Sequence, residues 1–169
     1  MSTVVITGST QGIGRGLAVE FCRRGHNVVI AGRNAQRVTE TLTTLASEAG
    51  KAAGQTCDVA QSDQVQALWD LAVSSFGSVD IWINNAGLAR TVWPILEIPQ
   101  EEIETMVRTN MLGTINGSRV AANGMVAQGH GKLFNVLGGG SDGEYFPGLG
   151  LYGTTKRGQA TSGLRWLRQ

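Results

Sequence analysis

The stretch TVVITGSTQGIG, from Thr3 to Gly14, decides the fold because it carries the signals of a strand, a tight turn and a helix in that order. The β-branched run at its start is typical of a short buried strand. Apolar side chains then recur at helical spacing from Ile13 to about Arg24. Glycines between the two elements let the backbone approach a phosphate, and the free N–H groups at the helix N-terminus favour an anion. The stretch therefore predicts a dinucleotide-binding turn.

Strands and helices keep alternating after this stretch. The pattern predicts three further strands, at Asn27–Ala31, Lys51–Cys57 and Val79–Ile83. It also predicts two helices between them, at Ala35–Ala49 and at Ser62–Phe76, the second with Ser62 as its N-cap. An irregular stretch that contains Trp93 follows at 88–99. Two helical segments come next, at 100–110 and 111–128, and a fifth strand lies at 133–137. This alternation predicts a doubly wound parallel α/β sheet of the Rossmann type with five strands. Ligands of such sheets bind beside the carboxyl ends of the strands.

Several polar residues fall at those carboxyl ends although they lie far apart in the chain. Arg33 follows the second strand, Asp58 follows the third, and Asn84-Asn85-Ala86-Gly87 follows the fourth. No carboxylate stands where one would bind a ribose 2′-hydroxyl, whereas Arg33 suits a 2′-phosphate, so the sequence favours NADP(H). The alternative for Arg33 is an exposed side chain without a ligand. Asp58 either meets an adenine edge or serves as a simple turn residue.

The segment NVLGGGSDGEYFPGLGLYGTTK, from Asn135 to Lys156, brings a hydroxyl, a phenol and an ammonium group close together in the chain. If Tyr152 opens a helix, Lys156 lies one turn later on the same face, where its charge favours loss of the phenol's proton. Tyr152 is therefore a candidate general acid or base. The alternative is a tyrosine ring that packs on a lysine stem. Asn110, at the junction of two helical segments, either marks a kink or holds a water molecule.

Composition and charge limit the classes of function. The 169 residues are 41% hydrophobic and 16% charged, which is typical of one folded domain over residues 1–169. The formal net charge of +1 predicts no surface for nucleic acid or for a membrane and leaves a small molecule as the expected partner. No stretch is typical of a signal peptide or a membrane span, so we expect a cytoplasmic protein. Cys22 and Cys57 lack metal-ligand spacing, so we expect buried thiols and no metal site.

Taken in order, these motifs resemble those of the short-chain dehydrogenase/reductase superfamily. The resemblance covers nearly the whole chain and rests on TGSTQGIG at 7–14, Asp58, NNAG at 84–87, Asn110 and YGTTK at 152–156. It implies hydride transfer between NAD(P) and a carbonyl or alcohol, with Tyr152 as acid or base. Lys156 would bind the nicotinamide ribose and lower the Tyr152 pKa, and Asn110 would hold a relay water. The expected cofactor-binding residues are Gly8, Ser9, Thr10, Gly12, Ile13, Gly14, Arg33, Asp58, Val59, Asn85, Ala86, Gly87, Tyr152 and Lys156.

Two features depart from the superfamily pattern. The serine that polarises the substrate oxygen usually stands where this chain has Leu137-Gly138-Gly139, and Ser141 is the available hydroxyl. The shifted serine, together with DIWINNAG and TNMLG, is similar to the chlorophyll b reductase branch, whose members reduce the C7-formyl group of chlorophyll b with NADPH. The superfamily continues beyond the Tyr–Lys helix, so we expect a chain that is incomplete at its C-terminus. The fifth strand would then form an apolar edge of the sheet.

The leading hypothesis is an NADPH-dependent reductase of a carbonyl group, with the formyl group of chlorophyll(ide) b as the candidate substrate. Ser141 would hydrogen-bond the substrate oxygen while Tyr152 protonates it. The alternative is a catalytically incomplete form that binds nucleotide or regulates such an enzyme. The resemblance also implies a homo-oligomer paired through the helices around Asn110 and Tyr152. A location in the plastid stroma would apply if the chain is a processed form.

Overall fold

The computed structural model describes residues 1–89, 94–144 and 147–162, so the predicted irregular stretch is described in part and Trp93 lies outside. The strands are β1 (Thr3–Ile6), β2 (Asn27–Gly32), β3 (Ala52–Thr56), β4 (Ile81–Asn84) and β5 (Lys132–Asn135). The helices are α1 (Gly12–Arg23), α2 (Ala35–Leu45), α3 (Ser62–Phe76), α4 (Gln100–Val107), α5 (Gly113–Gln128) and α6 (Gly150–Ser162). A 3-10 turn spans Ile95–Glu97, and a π-helical turn, Arg108–Leu112, joins α4 to α5.

The five strands form one parallel sheet in the order β3-β2-β1-β4-β5. The chain moves outward from β1 to β3 and then crosses back to place β4 on the other side of β1. The strand order therefore reverses between β1 and β4, and the carboxyl ends at such a reversal form the crevice where these sheets bind ligands. The predicted fold class, a doubly wound parallel sheet with five strands, is confirmed.

Two apolar layers bury the sheet. On one face, α1 and α2 cover strand side chains such as Val4 and Ile30. On the other face, α3 and α5 cover Val5, and Trp69 of α3 stacks on Trp82 of β4 with ring centroids 6.2 Å apart. A strand covered on both faces needs apolar side chains at successive positions, which explains the unbroken runs of valine and isoleucine in β1 and β2.

Several predicted element ends differ from the structure by a few residues. The helix expected to reach Ala49 ends at Leu45, because the following residues turn so that the Gly50 N–H donates to the Cys22 carbonyl oxygen at 2.8 Å. The N-cap of α3 is Gln61, which has an extended backbone, and Ser62 is the first helical residue. The fifth strand spans 132–135 rather than 133–137, and these four residues pair with the whole of β4.

The π-helical turn lies at the junction predicted between two helical segments. It contains Asn110, whose side chain is completely buried. The residues on either side of the turn keep helical dihedrals, so α4 and α5 are joined by a local widening of the helix rather than by a break. Such π turns add a residue to the helix and change the regular pairing of its carbonyl groups. The kink predicted at Asn110 therefore takes the form of a π turn.

Strand β5 lies at the edge of the sheet that the described residues form. It pairs with β4 on one side, and no strand of the described residues pairs with its other side. Phe134, in the middle of β5, is 51% exposed, and Leu137 just after the strand is 46% exposed. The apolar surface of the sheet therefore reaches the exterior at this edge.

The cysteines also match their prediction. Cys22 and Cys57 are both buried and unpaired, and burial raises the pKa of the Cys57 thiol to about 12. Across 1–89, 94–144 and 147–162, no cluster of three or more metal-ligating side chains forms. No helix within those ranges has the length and apolar character needed to cross a membrane.

Changing Leu68→Ala should destabilise the protein by about 2–5 kcal/mol, because this side chain of α3 is fully buried and its loss leaves a cavity in the core. Leu96→Ala is the matched control, since the same change at a side chain that is 95% exposed should alter stability by less than about 0.5 kcal/mol. Denaturant unfolding of the two variants measures both effects. Equal losses would contradict the position of the core.

Candidate active site

The turn after β1 is tied to the end of β4 by the side chains of Thr7 and Asn85. Thr7 Oγ1 accepts hydrogen bonds from the backbone N–H groups of Asn85 and Ala86, each at 3.1 Å. Asn85 Nδ2 in turn donates to the carbonyl oxygens of Thr7 and Gly8, each at 3.0 Å. The turn and the segment after β4 therefore form one rigid unit at the reversal point of the sheet.

Ser9, a predicted cofactor-binding residue, lies beneath the turn. It is completely buried, and its backbone N–H donates to the Ala31 carbonyl oxygen at 2.9 Å. Its hydroxyl donates to the Ile6 carbonyl oxygen at 2.7 Å and accepts from the Ala31 N–H at 2.9 Å. Ser9 thus holds the turn against β2, and it does not line the cavity above.

The glycines of the turn keep the backbone open to a ligand. Gly8 and Gly12 adopt φ values of +64° and +54°, a left-handed conformation that favours glycine. At Gly14, a Cβ atom would lie 2.5 Å from the Gly8 carbonyl oxygen and would also clash with the Asn85 side-chain amide. A side chain at this position would therefore push the turn away from α1.

A cavity of about 380 Å³ lies over this turn and extends to α6. Most of the predicted site residues line it: Gly8, Thr10, Gly12, Ile13, Gly14, Arg33, Asp58, Val59, Asn85, Ala86, Gly87, Tyr152 and Lys156. Ser9, Asn110 and Ser141 were predicted for the site but do not line the cavity. Sequence reasoning missed several lining residues: Gln11, Asn34, Arg37, Leu88, Thr109, Val136 and Leu137.

Two arginines mark one end of the cavity. Arg33 follows β2, and Arg37 lies in the first turn of α2. Both residues are exposed and line the cavity. Asn34 Oδ1 caps α2 by accepting from the Arg37 N–H at 2.9 Å. The Arg37 guanidinium donates to Gln11 Oε1 of the glycine turn. An arginine three residues after an asparagine cap lies in the first turn of the helix, and this position is the signal that could have revealed Arg37 from the sequence.

Asp58 has the turn role that the sequence left as one of two alternatives. Its Oδ1 accepts from the Ala60 N–H at 3.0 Å, and its own N–H donates to Gln64 Oε1 at 2.8 Å. The residue also lines the cavity. The turn therefore fixes a carboxylate at the cavity wall.

Tyr152 and Lys156 lie one turn apart on α6 and both face the cavity. Lys156 Nζ is 5.7 Å from the centre of the Tyr152 ring and donates to the Val136 carbonyl oxygen at 3.0 Å. Burial lowers the pKa of Lys156 below its ordinary value of 10.5. Burial raises the pKa of Tyr152 above its ordinary value of 10.0. The lowering of this pKa by Lys156 stays a prediction.

The loop after β5 passes close to the Tyr152 side chain at Gly138. A Cβ atom on Gly138 would clash with the Tyr152 phenolic oxygen. Ser141 lies farther along this loop, where its N–H donates to the Gly138 carbonyl oxygen at 3.1 Å and its carbonyl oxygen accepts from Arg157 Nη1 at 2.9 Å. The side chain of Ser141 is partly exposed. Its predicted contact with a substrate oxygen stays a prediction.

Asn110 lies behind the cavity and joins two of its walls. Its Oδ1 accepts from the Leu88 N–H at 2.7 Å, and its Nδ2 donates to the Leu88 carbonyl oxygen at 3.0 Å. The same Nδ2 donates to Thr155 Oγ1 of α6 at 2.9 Å. Asn110 therefore connects the segment after β4 with the helix that carries Tyr152.

The geometry combines two chemical functions in one cavity. The glycine turn and the two arginines provide a place for phosphate groups at one end. At the other end, a phenol held in its protonated form can deliver a proton to an oxygen atom beside it. The arrangement is suited to a nucleotide and a second small molecule that meet near Tyr152.

Comparison with known proteins agrees with this geometry. The model of the short chain dehydrogenase family matches residues 2–163. The chain is 44% identical over 158 residues to chlorophyll(ide) b reductase NOL, chloroplastic, of Oryza sativa subsp. japonica, a match that covers 91% of this chain and 46% of that protein. It is 34% identical over 155 residues to the (S)-acetoin-forming diacetyl reductase of Staphylococcus epidermidis, covering 91% of this chain and 60% of that protein. The chain thus spans less than half the length of the rice reductase.

A solved structure is also similar to this chain in fold and sequence. The fold superposes on a short-chain type dehydrogenase/reductase from Mycobacterium marinum with a TM-score of 0.86 and 30% sequence identity, covering 93% of this chain and 64% of that chain. The family match extends over nearly the whole sequence and includes both the glycine turn and the Tyr152–Lys156 pair. The chain belongs to the short-chain dehydrogenase family of oxidoreductases.

Proposed function

We propose that the protein is an NADPH-dependent oxidoreductase that reduces a carbonyl group to an alcohol. The observation that carries the proposal is the joint placement of the glycine turn, Arg33, Tyr152 and Lys156 around one cavity. This placement would set a nucleotide's phosphates at one end and a proton donor at the other. The similarity to two reductases of carbonyl compounds supports the same reaction class.

The residues present fit NADPH. Gly12 leaves open space over the start of α1, and Gly14 lets the turn lie close to that helix, which together suit a pyrophosphate. Arg33 and Arg37 supply positive charge where a ribose 2′-phosphate would lie. When bound, NADPH supplies the hydride of the reaction. Lys156 would hydrogen-bond the nicotinamide ribose from its position beside Val136.

Tyr152 would act as the general acid. Its raised pKa keeps the phenol protonated at neutral pH, so it can donate the proton to the substrate oxygen as the carbonyl is reduced. Buried Lys156 would then stabilise the phenolate that remains. We retain Ser141 as the proposed second hydrogen-bond donor to the substrate oxygen, because its loop reaches the Tyr152 hydroxyl at Gly138.

For the substrate, we propose the formyl group of chlorophyll(ide) b. The proposal is supported by the 44% identity to the rice chlorophyll(ide) b reductase and by the glycine-rich loop that precedes Ser141. A location in the plastid stroma follows from the same proposal. An NADPH-oxidation assay with chlorophyllide b, diacetyl and simple aldehydes tests it, since turnover of diacetyl alone would place the chain nearer the bacterial relative.

A second proposal is that this chain binds nucleotide without catalysis and regulates a longer enzyme. The observation that favours it is the cavity over the glycine turn, which could hold a nucleotide whether or not a reaction follows. Tight binding of NADPH with no oxidation of it by any of these carbonyl compounds would support the regulatory form. Turnover by the purified 169-residue chain would reject it.

Changing Tyr152→Phe should lower turnover by at least about a hundredfold, because the variant loses the general acid and keeps the ring. NADPH affinity should change by less than about threefold, which is about 0.7 kcal/mol. Steady-state kinetics and fluorescence titration with NADPH measure the two effects. Turnover equal to that of the unmodified protein would exclude Tyr152 as the acid.

The double change Arg33→Ala with Arg37→Ala should weaken NADPH binding by about tenfold or more and leave NADH binding unchanged, because charged hydrogen bonds to the 2′-phosphate are lost. Titrations with both nucleotides measure this difference. Arg119→Ala on the exposed face of α5 is the control for a lost positive charge. Equal weakening of NADPH and NADH would show that the two arginines do not recognise the 2′-phosphate.

The rate of carbonyl reduction should stay level around neutral pH and fall as the pH rises through the pKa of Tyr152. The sign follows from the chemistry: reduction needs the protonated phenol, and burial raises its pKa above 10.0. The pH dependence of kcat with saturating NADPH measures the effect. A fall that begins well below pH 10 would mean that another group controls the proton transfer.

A further inference from the structure

A buried polar cluster joins α6 to the π-helical turn behind the cavity. Its members are Asn110 of the π turn, Thr114 of α5, and Thr155 and Gln159 of α6, and each is at most 3% exposed. We call these four residues the Asn110 cluster. None of them lines the cavity where the reaction is proposed to occur.

The side chain of Asn110 uses both of its amide hydrogens within the protein. Nδ2 donates to Leu88 O and to Thr155 Oγ1, while the Thr155 hydroxyl donates to the Tyr152 carbonyl oxygen at 2.7 Å. Thr155 therefore links Asn110 to the residue that carries the phenol. This path runs through the first turns of α6 without touching the reacting atoms.

The backbone carbonyl of Asn110 is also occupied. It accepts from Gln159 Nε2 at 2.6 Å and from Thr114 Oγ1 at 2.8 Å. A carbonyl oxygen has two lone pairs, so these two donors fill its capacity.

Gln159 lies one turn after Lys156 on α6, and its amide reaches across to the neighbouring elements. Besides Asn110 O, Nε2 donates to Thr114 Oγ1 at 2.6 Å. The amide thus uses both hydrogens to bind two consecutive turns of the facing helix. Such a pair of short buried bonds resists both sliding and rotation of α6, and either movement would turn Tyr152 and Lys156 away from the cavity.

We infer that Gln159 is a positioning residue that, together with Thr155, fixes α6 on the Asn110 cluster so that Tyr152 and Lys156 keep facing the cavity. The inference rests on the proposed function, in which Tyr152 is the acid. It assigns Asn110 to holding the helix. The orientation of both side chains toward the cavity then depends on a glutamine that lines no part of it.

Lys156 is the charged group placed to influence Tyr152, at 5.7 Å from the ring centre. Other ionisable side chains occur on the segments packed against α6, and these are exposed or partly exposed. They are Glu101, Glu102 and Glu104 of α4, Arg108 of the π turn, and Asp142 and Glu144 of the loop after β5.

Changing Gln159→Met tests the inference, because methionine keeps the length of the side chain and removes both donors. The pKa of Tyr152 is read from the ultraviolet absorption of the phenolate in a Tyr145→Phe background, which leaves one tyrosine in the chain. We expect the Tyr152 titration to move to lower pH, toward the ordinary range of tyrosine, because a displaced α6 leaves the phenol less buried. We also expect kcat to fall by about tenfold, with NADPH affinity changed by less than about twofold.

Gln66→Met on the exposed face of α3 is the matched control and should change none of these quantities. If Gln159→Met does not fold, Thr155→Val removes the hydrogen bond between Asn110 and α6 and should shift the Tyr152 titration in the same direction. An unshifted Tyr152 titration in the folded variants would overturn the inference. The titration of Tyr152 does not depend on turnover. If the chain reduced no carbonyl compound, the proposed function would be refuted, and the titration would still test the role of Gln159.

Discussion

The structure depends on a short set of hydrogen bonds at the carboxyl end of β1. Thr7, Ser9 and Asn85 connect that end to β2 and β4, so three strands finish at fixed positions. Parallel strands place their carboxyl ends at one edge of the sheet, but they leave the connecting segments free to take many paths. Here, polar side chains that satisfy buried backbone groups select one path, and the glycine turn is held where α1 begins.

The same principle governs the other wall of the cavity. α6 carries its two functional side chains on one face and presents Thr155 and Gln159 to the π turn. Hydrophobic packing alone would allow a helix to shift along its neighbour, whereas buried hydrogen bonds have a defined length and direction. The first wall is fixed by Asn85 and the second by Asn110. Two asparagines therefore do much of the positioning around the proposed site, and neither depends on charge.

The fold could be predicted from the sequence because its signals are local. Alternating apolar strands and amphipathic helices specify a doubly wound sheet, and Arg33 and Asp58 stand next to the strand ends that place them at the cavity. Less local features were missed. Arg37 reaches the cavity from the first turn of α2, Val136 accepts from Lys156 through its backbone, and the Tyr152 pKa depends on burial that a spacing argument does not contain. Ser9 matched a cofactor-binding motif, yet its hydroxyl hydrogen-bonds to backbone groups of β1 and β2.

The clash that a side chain at Gly138 would cause with the Tyr152 hydroxyl constrains how this sequence can change. Any single substitution at residue 138 introduces a Cβ atom, so it must displace the phenol before its own side chain can contribute anything. A serine at residue 138 would fit only if the Tyr152 side chain, α6 or the loop moved. Substitution at residue 138 is therefore limited by a steric clash rather than by the chemistry of the new side chain. Variation in substrate preference would then accumulate farther along the loop, where the backbone no longer contacts the phenol.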